Sequence, residues 1–161
     1  MHKDHIDVLQ DDWSRQRPDL DAAPMGVVLR IQALAKILTQ QAADSLEKYG
    51  LQWWQYDVLS TLRRQGEPHM MAATALADAA MLTSGAMTNR IDRLEAEGLV
   101  RRLADPDDRR RVLVRLTRRG LDLIESAMEA RFETAFSSLH GLSVGQRRQL
   151  SDLLRRVLSE Q

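Results

Sequence analysis

The chain of 161 residues is 43% hydrophobic and 29% charged, the size and composition of one globular domain and not of a disordered or fibrous chain. It has no cysteine, which excludes disulfides, zinc–thiolate sites, iron–sulfur clusters and thiol chemistry. Its 23 basic and 23 acidic groups balance, yet residues 83–120 hold 10 basic against 6 acidic groups while residues 1–60 hold 6 against 9. All ten basic groups of the central segment are arginine, the side chain best suited to bidentate contacts with phosphates and base edges.

The N-terminus opens Met1-His2-Lys3-Asp4 and stays polar up to Trp13, without the apolar core of a secretory signal. The most apolar stretch, residues 25–38, contains Arg30 and Lys36 and is too short to span a bilayer. The expectation is a cytoplasmic protein with no membrane segment. Ile6, Leu9 and Trp13 fall on one stripe of a short helix that ends before Arg17-Pro18. Pro24 starts a long helix with Val27, Val28, Ile31, Leu34, Ile37, Leu38 and Leu46 apolar, and Gly50 closes it. Trp54, Val58, Leu59 and Leu62 predict a helix over 53–64, stopped by Gly66 and Pro68. Met70-Met71 then reads as core filling between helix and turn rather than as a redox sensor.

Leu76, Ala77 and Ala80 predict a helix over 73–80, with no cap at its start because the chain there runs Ala72-Ala73-Thr74. Thr83 is the N-cap of a further helix to Glu97, and Gly98 terminates it. The period then changes to two: Val112, Val114 and Leu116 mark a strand, with Leu99–Leu103 as its partner. The turn-forming, charged run Asp105-Pro106-Asp107-Asp108-Arg109-Arg110 makes the tip of this hairpin. Thr117 caps a long helix to about Ser138, with Leu121, Ile124, Met128, Phe132 and Phe136 on its stripe. Ser143 and Gln146 form a capping box for the last helix, whose apolar positions are Leu150, Leu153, Leu154, Val157 and Leu158.

Helix, short turn, helix and basic hairpin is the order of a winged helix-turn-helix, so the fold class is mainly α with a small β-hairpin wing. At 100° per residue, Met87, Ile91 and Leu94 lie on one side of the 83–97 helix and Gly85, Asn89, Asp92, Arg93 and Ala96 on the other. Small and hydrogen-bonding side chains on an exposed face suit contact with base edges, Arg with guanine and Asn with adenine. A solvated surface helix is the alternative for that face.

The run Thr83-Ser84-Gly85-Ala86-Met87-Thr88-Asn89-Arg90-Ile91-Asp92-Arg93-Leu94-Glu95, then Gly98-Leu99-Val100, then the hairpin run with Val112 to Thr117 and Gly120, resembles the multiple-antibiotic-resistance-regulator (MarR) family of bacterial winged-helix transcription factors. The resemblance implies a homodimer whose terminal helices interlock and whose lobes bind a palindromic duplex operator. It divides the chain into dimerisation and ligand-pocket helices at 1–50, a DNA-binding lobe at 51–117 and C-terminal dimerisation helices at 118–161, all in one compact fold. Asn89 and Arg93 are the expected base readers, Ser84 and Thr88 the expected phosphate contacts near the helix start, and Arg109 and Arg110 the wing contacts. By the resemblance Arg110 is the wing-tip arginine, held by Asp92 or Asp108.

The extra N-terminal helix with Trp13, followed by Arg17-Pro18-Asp19-Leu20-Asp21, is similar to the branch of this family that responds to urate or related phenolic anions. That similarity implies a pocket for a small aromatic anion formed by Trp13, Asp57, Arg90 and Arg102, with the anion releasing a repressor from its operator. It also implies a brace between Arg90, which the wheel angles inward, and Asp57. A core anchor for Trp13 and a phosphate contact for Arg102 stand as alternatives. His2, His5, His69 and His140 form no metal-ligand pair, and no phosphate loop, nucleophile elbow or carboxylate pair is present, so neither metal, cofactor nor enzyme activity is expected. The competing class is a helical protein-binding module whose basic centre meets an acidic partner.

Overall fold

The computed structural model describes residues 3–108 and 110–160. Arg109, expected in the wing contact, lies outside the described residues. The contacts divide the chain into two compact units, Met1–Gln41 and Ala42–Gln161, with the division inside a helix.

The first unit holds α1 (His5–Gln16) and most of α2 (Ala23–Glu47). Asp4 caps α1: its side chain accepts from the backbone N–H of Ile6 and Asp7, and the Asp7 side chain accepts from Asp4 N–H. Arg30 of α2 then ties the start of α1 down. Its Nε and Nη2 donate to the two Asp4 oxygens at 2.9 and 2.8 Å, and Nη2 donates to Asp7 at 2.7 Å. This fork holds the Asp4 carboxyl well below its ordinary range, at a pKa of about 2.

The second unit contains the end of α2, α3 (Trp53–Arg63), β1 (Met70–Ala72), α4 (Ala73–Ala79), α5 (Ser84–Ala96), β2 (Val100–Ala104), β3 (Val112–Leu116), α6 (Arg118–Ser138) and α7 (Val144–Ser159). Gly50, at φ +65°, turns the chain out of α2. Leu46, Leu59, Leu62, Leu76, Met87, Ile91, Leu94, Leu99 and Ile124 are fully buried together. Each such side chain contributes about 1.5–3 kcal/mol over its exposed state. Met87, Ile91 and Leu94 recur at helical spacing, so α5 is seated on this core by one face only.

The wing is larger than a hairpin. The antiparallel sheet has the order β1-β3-β2, with Met71 opposite Val114 and Arg102 also opposite Val114 from the other side. Met70 and Met71 are therefore strand residues, and β1 runs without a break into α4, whose N-cap position Ala72 supplies no side-chain hydrogen bond. Elsewhere the caps are local: Thr83, Thr117 and Ser143 accept from Ala86, Gly120 and Gln146 N–H.

Several helical faces are apolar and exposed among the described residues. Val27, Val28, Ile31, Leu34, Ile37 and Leu38 of α2 are exposed, as are Phe132 and Phe136 of α6, and α7 buries none of its residues. Among the described residues no helix is long and apolar enough to cross a membrane.

Candidate nucleic-acid interface

The site is built on α5 and the wing. Thr83 Oγ1 accepts from Ala86 N–H at 3.3 Å and starts α5, and Gly98, at φ +70°, ends it. At the far end of the helix the buried Gln55 of α3 donates to the Glu97 carboxylate at 2.9 and 3.1 Å. Core packing and this contact leave Gly85, Thr88, Asn89, Asp92, Arg93 and Ala96 exposed on the opposite side. In the turn before α5 Met81 takes φ +52° with its side chain 93% exposed, a backbone conformation that glycine adopts at no cost.

Beside that face lies a groove of about 430 Å³ bounded by Thr74, Ser84, Thr88, Asp108, Arg110 and Arg111. The Arg110 side chain is 93% exposed and sits 3.6 Å from Asp108. Of the two expected holders of Arg110, Asp108 is the one beside it, and Asp92 pairs with Arg102. Arg111 sits 3.6 Å from the buried Asp105 carboxylate, which accepts from Asp107 N–H and fixes the base of the wing tip. Thr74 and Arg111 were not singled out in the sequence. Their signal was present: Thr74 lies in the first turn of the helix expected over 73–80 and Arg111 extends the arginine run.

Arg102 makes the densest polar cluster of the lobe. Its backbone N–H donates to Glu95 at 2.8 Å, Nη1 to the other Glu95 oxygen at 2.6 Å, and Nη2 to Asp92 at 2.6 Å and to the Thr88 carbonyl at 3.4 Å. The Glu95 carboxyl is held below its ordinary range, first by the backbone N–H of Arg102 and then by its guanidinium. Partial burial opposes the Arg102 charge, but its hydrogen bonds with Glu95 and Asp92 outweigh that and raise its pKa.

Of the four expected pocket residues, Arg90, Arg102 and Asp57 lie in the second unit and Trp13 in the first. The brace between Arg90 and Asp57 does not form. The Arg90 guanidinium lies over the Trp54 ring, 5.6 Å from its centroid, because α3 presents an aromatic face to it where a carboxylate was expected. Trp13 forms one wall of a pocket of about 210 Å³ within the first unit, together with Leu9, Leu20, Met25 and Leu29.

The MarR family profile matches residues 51–112, from the start of α3 into the wing. The chain is 34% identical over 151 residues to the HTH-type transcriptional regulator PecS of Dickeya dadantii (strain 3937), covering 94% of this chain and 90% of that protein. The chain belongs to the MarR family. It is a DNA-binding transcriptional regulator and not an enzyme. AbsC, a MarR family regulator from Streptomyces coelicolor, has the same fold, with a TM-score of 0.78 at 23% identity over 88% of this chain and 95% of that one. So does a mutant MarR from E. coli complexed with operator DNA, at a TM-score of 0.70 and 23% identity, covering 91% of this chain and 97% of that one.

Proposed function

We propose that this MarR-family protein binds a pseudo-palindromic operator as a homodimer in the cytoplasm, with α5 in the major groove and the wing on the flanking backbone or narrow minor groove. The observation that carries the reading is the α5 face that packing leaves free: Asn89 and Arg93 exposed beside the groove that ends at Arg110. Asn89 and Arg93 read bases. Ser84 and Thr88, in the first turns of the capped helix, take phosphates, as do Arg109 and Arg110 from the wing. Two-fold symmetry of the protein sets half-sites about one helical turn apart. The uncovered apolar faces of α2, α6 and α7 are the surfaces a second copy would bury.

The protein acts as a repressor released by a small aromatic anion such as urate or a phenolate, for which Trp13, Asp57, Arg90 and Arg102 are the pocket residues. Arg90, stacked on Trp54 and with no ion pair among the described residues, and the wall formed by the Trp13 ring support this reading. An anion that binds the DNA-free form better weakens operator binding by the coupling typical of such switches, about 5- to 150-fold. Selection of bound sequences from a random duplex pool, followed by a salt titration, tests the DNA reading. A palindromic consensus with a steep salt slope supports it, and a flat slope favours an acidic protein partner. Urate or salicylate added to the selected complex tests the switch: Trp13→Phe and Arg90→Ser blunt the response more than they harm affinity, and a full response in both overturns the pocket.

A further inference from the structure

The face of α5 left free for a duplex carries an acidic residue among its readers. Asp92 is exposed between Asn89 and Arg93, and Glu95 lies one turn on, half-buried. A bare carboxylate on a surface that approaches phosphates is repulsive, and the repulsion is strongest at low ionic strength. The four charged side chains of α5, Arg90, Asp92, Arg93 and Glu95, sum to zero, so the helix alone contributes no net attraction. Arg102 changes that balance from outside the helix. It reaches from β2 to both acids at 2.6 Å, and its third contact, with the Thr88 carbonyl, fixes the guanidinium against the backbone of the same helix.

We propose that Arg102 is a positioning residue for duplex binding, acting through Asp92 and Glu95: it neutralises the acidic edge of α5 and latches that helix to β2 of the wing. This rests on the DNA-binding reading of α5. Three features of the cluster favour the role over a direct phosphate contact. Both terminal nitrogens of Arg102 are already committed to carboxylates on α5. The backbone N–H of Arg102 joins the same cluster, so the latch includes the strand and not only the side chain. The carboxylate paired with Arg102 is Asp92, whereas the exposed wing-tip Arg110 has Asp108 beside it, so the two arginines serve different acids. Loss of Arg102 would therefore uncover two negative charges on the face of α5. It also gives an anion at Arg102 a physical effect: drawing the guanidinium away uncovers the acids to the duplex.

The experiment measures binding of the full-length protein to a duplex recovered from the random pool by the wild type, as a function of salt. Arg102→Met keeps the aliphatic stem and removes the charge. It is expected to weaken binding about tenfold at low salt, with the deficit shrinking at high salt as the uncovered carboxylates are screened. Adding Asp92→Asn and Glu95→Gln to Arg102→Met is expected to restore affinity to within about threefold of wild type, because there is then no negative edge to neutralise. Arg102→Lys, which keeps one charge but not the two-armed geometry, is expected to fall between. Denaturant midpoints of the variants separate loss of fold from loss of binding, and the Lys variant carries the test if the Met variant unfolds. A triple variant as weak as Arg102→Met would overturn the proposal and make Arg102 a direct contact. An Arg102→Met protein that binds like wild type would overturn it as well. If the wild type recovers no duplex at all, the DNA-binding reading of α5 fails first.

Discussion

Gly120, in the first turn of α6, sits against Leu99, where α5 hands over to β2, and replacing it with alanine puts the packing there under a measurable load. A Cβ at this position would meet the Leu99 carbonyl oxygen at 2.0 Å and its carbon at 2.9 Å. A carbon and a carbonyl oxygen approach no closer than about 3.3 Å, so backbone on one side must retreat by about 1 Å. The Leu99 carbonyl cannot retreat freely, since Thr117 N–H donates to it at 3.0 Å and the Thr117 hydroxyl bonds the adjacent Gly98 carbonyl at 2.7 Å. Overpacking costs about 1–3 kcal/mol and the weakened hydrogen bond about 0.5–1.5 kcal/mol, so Gly120→Ala should lose about 1.5–4.5 kcal/mol. At about 2–4 °C per kcal/mol for a chain of this size, that lowers Tm by about 3–18 °C. Urea unfolding followed by circular dichroism, with calorimetry for Tm, measures it. Gly85→Ala is the matched control, because nothing lies within 4 Å of a Cβ there, and alanine in a helix gains up to about 1 kcal/mol over glycine. A Gly120→Ala protein within about 0.5 kcal/mol of wild type would refute the reasoning.

Arg110→Ala should lower affinity for every duplex and reduce the salt slope by about one unit, read from binding titrations at several salt concentrations. Asn89→Ala should instead relax discrimination at one base pair by about 1–3 kcal/mol while leaving non-specific affinity intact, and competition between the selected duplex and point variants of it distinguishes the two. Asp4, with its carboxyl lowered to about 2 from 3.8 by the Arg30 fork, should help hold α1 above pH 4 and cease to do so as pH falls through 2. Helix content followed by circular dichroism across that window should show a step that Asp4→Asn removes.

What could be read from the sequence divides by the range of the interaction. Thr83, Thr117 and Ser143 act on amides three residues away, so a short window contains the whole signal, and the helices they start lie where expected. The three apolar contacts of α5 follow from spacing alone, and with them the exposed face. Strand β1 was missed because three residues with no alternation form a strand only where another strand offers an open edge, and β3 offers it from more than forty positions along the chain. The pairings of the arginines were equally illegible. Arg102 meets Asp92 and Glu95 because the register of β2 lays it along α5. Arg90 meets Trp54 rather than Asp57 because the rotation of α3 about its own axis, set by its core contacts, decides which neighbour is presented.

The central place of β3 makes the wing and the helix-turn-helix one mechanical part. β3 is bonded on one side to β2, which carries Arg102, and on the other to β1, which becomes α4 without an intervening residue. A torque applied at the hairpin tip therefore has two routes into the lobe: through the Arg102 cluster to α5, and through the shared strand to the first turn of α4. The second route ends at a helix start with no side-chain cap to resist unwinding. Deformation imposed on the tip by a bent duplex would register first as fraying of α4, a compliant element placed beside a stiff one.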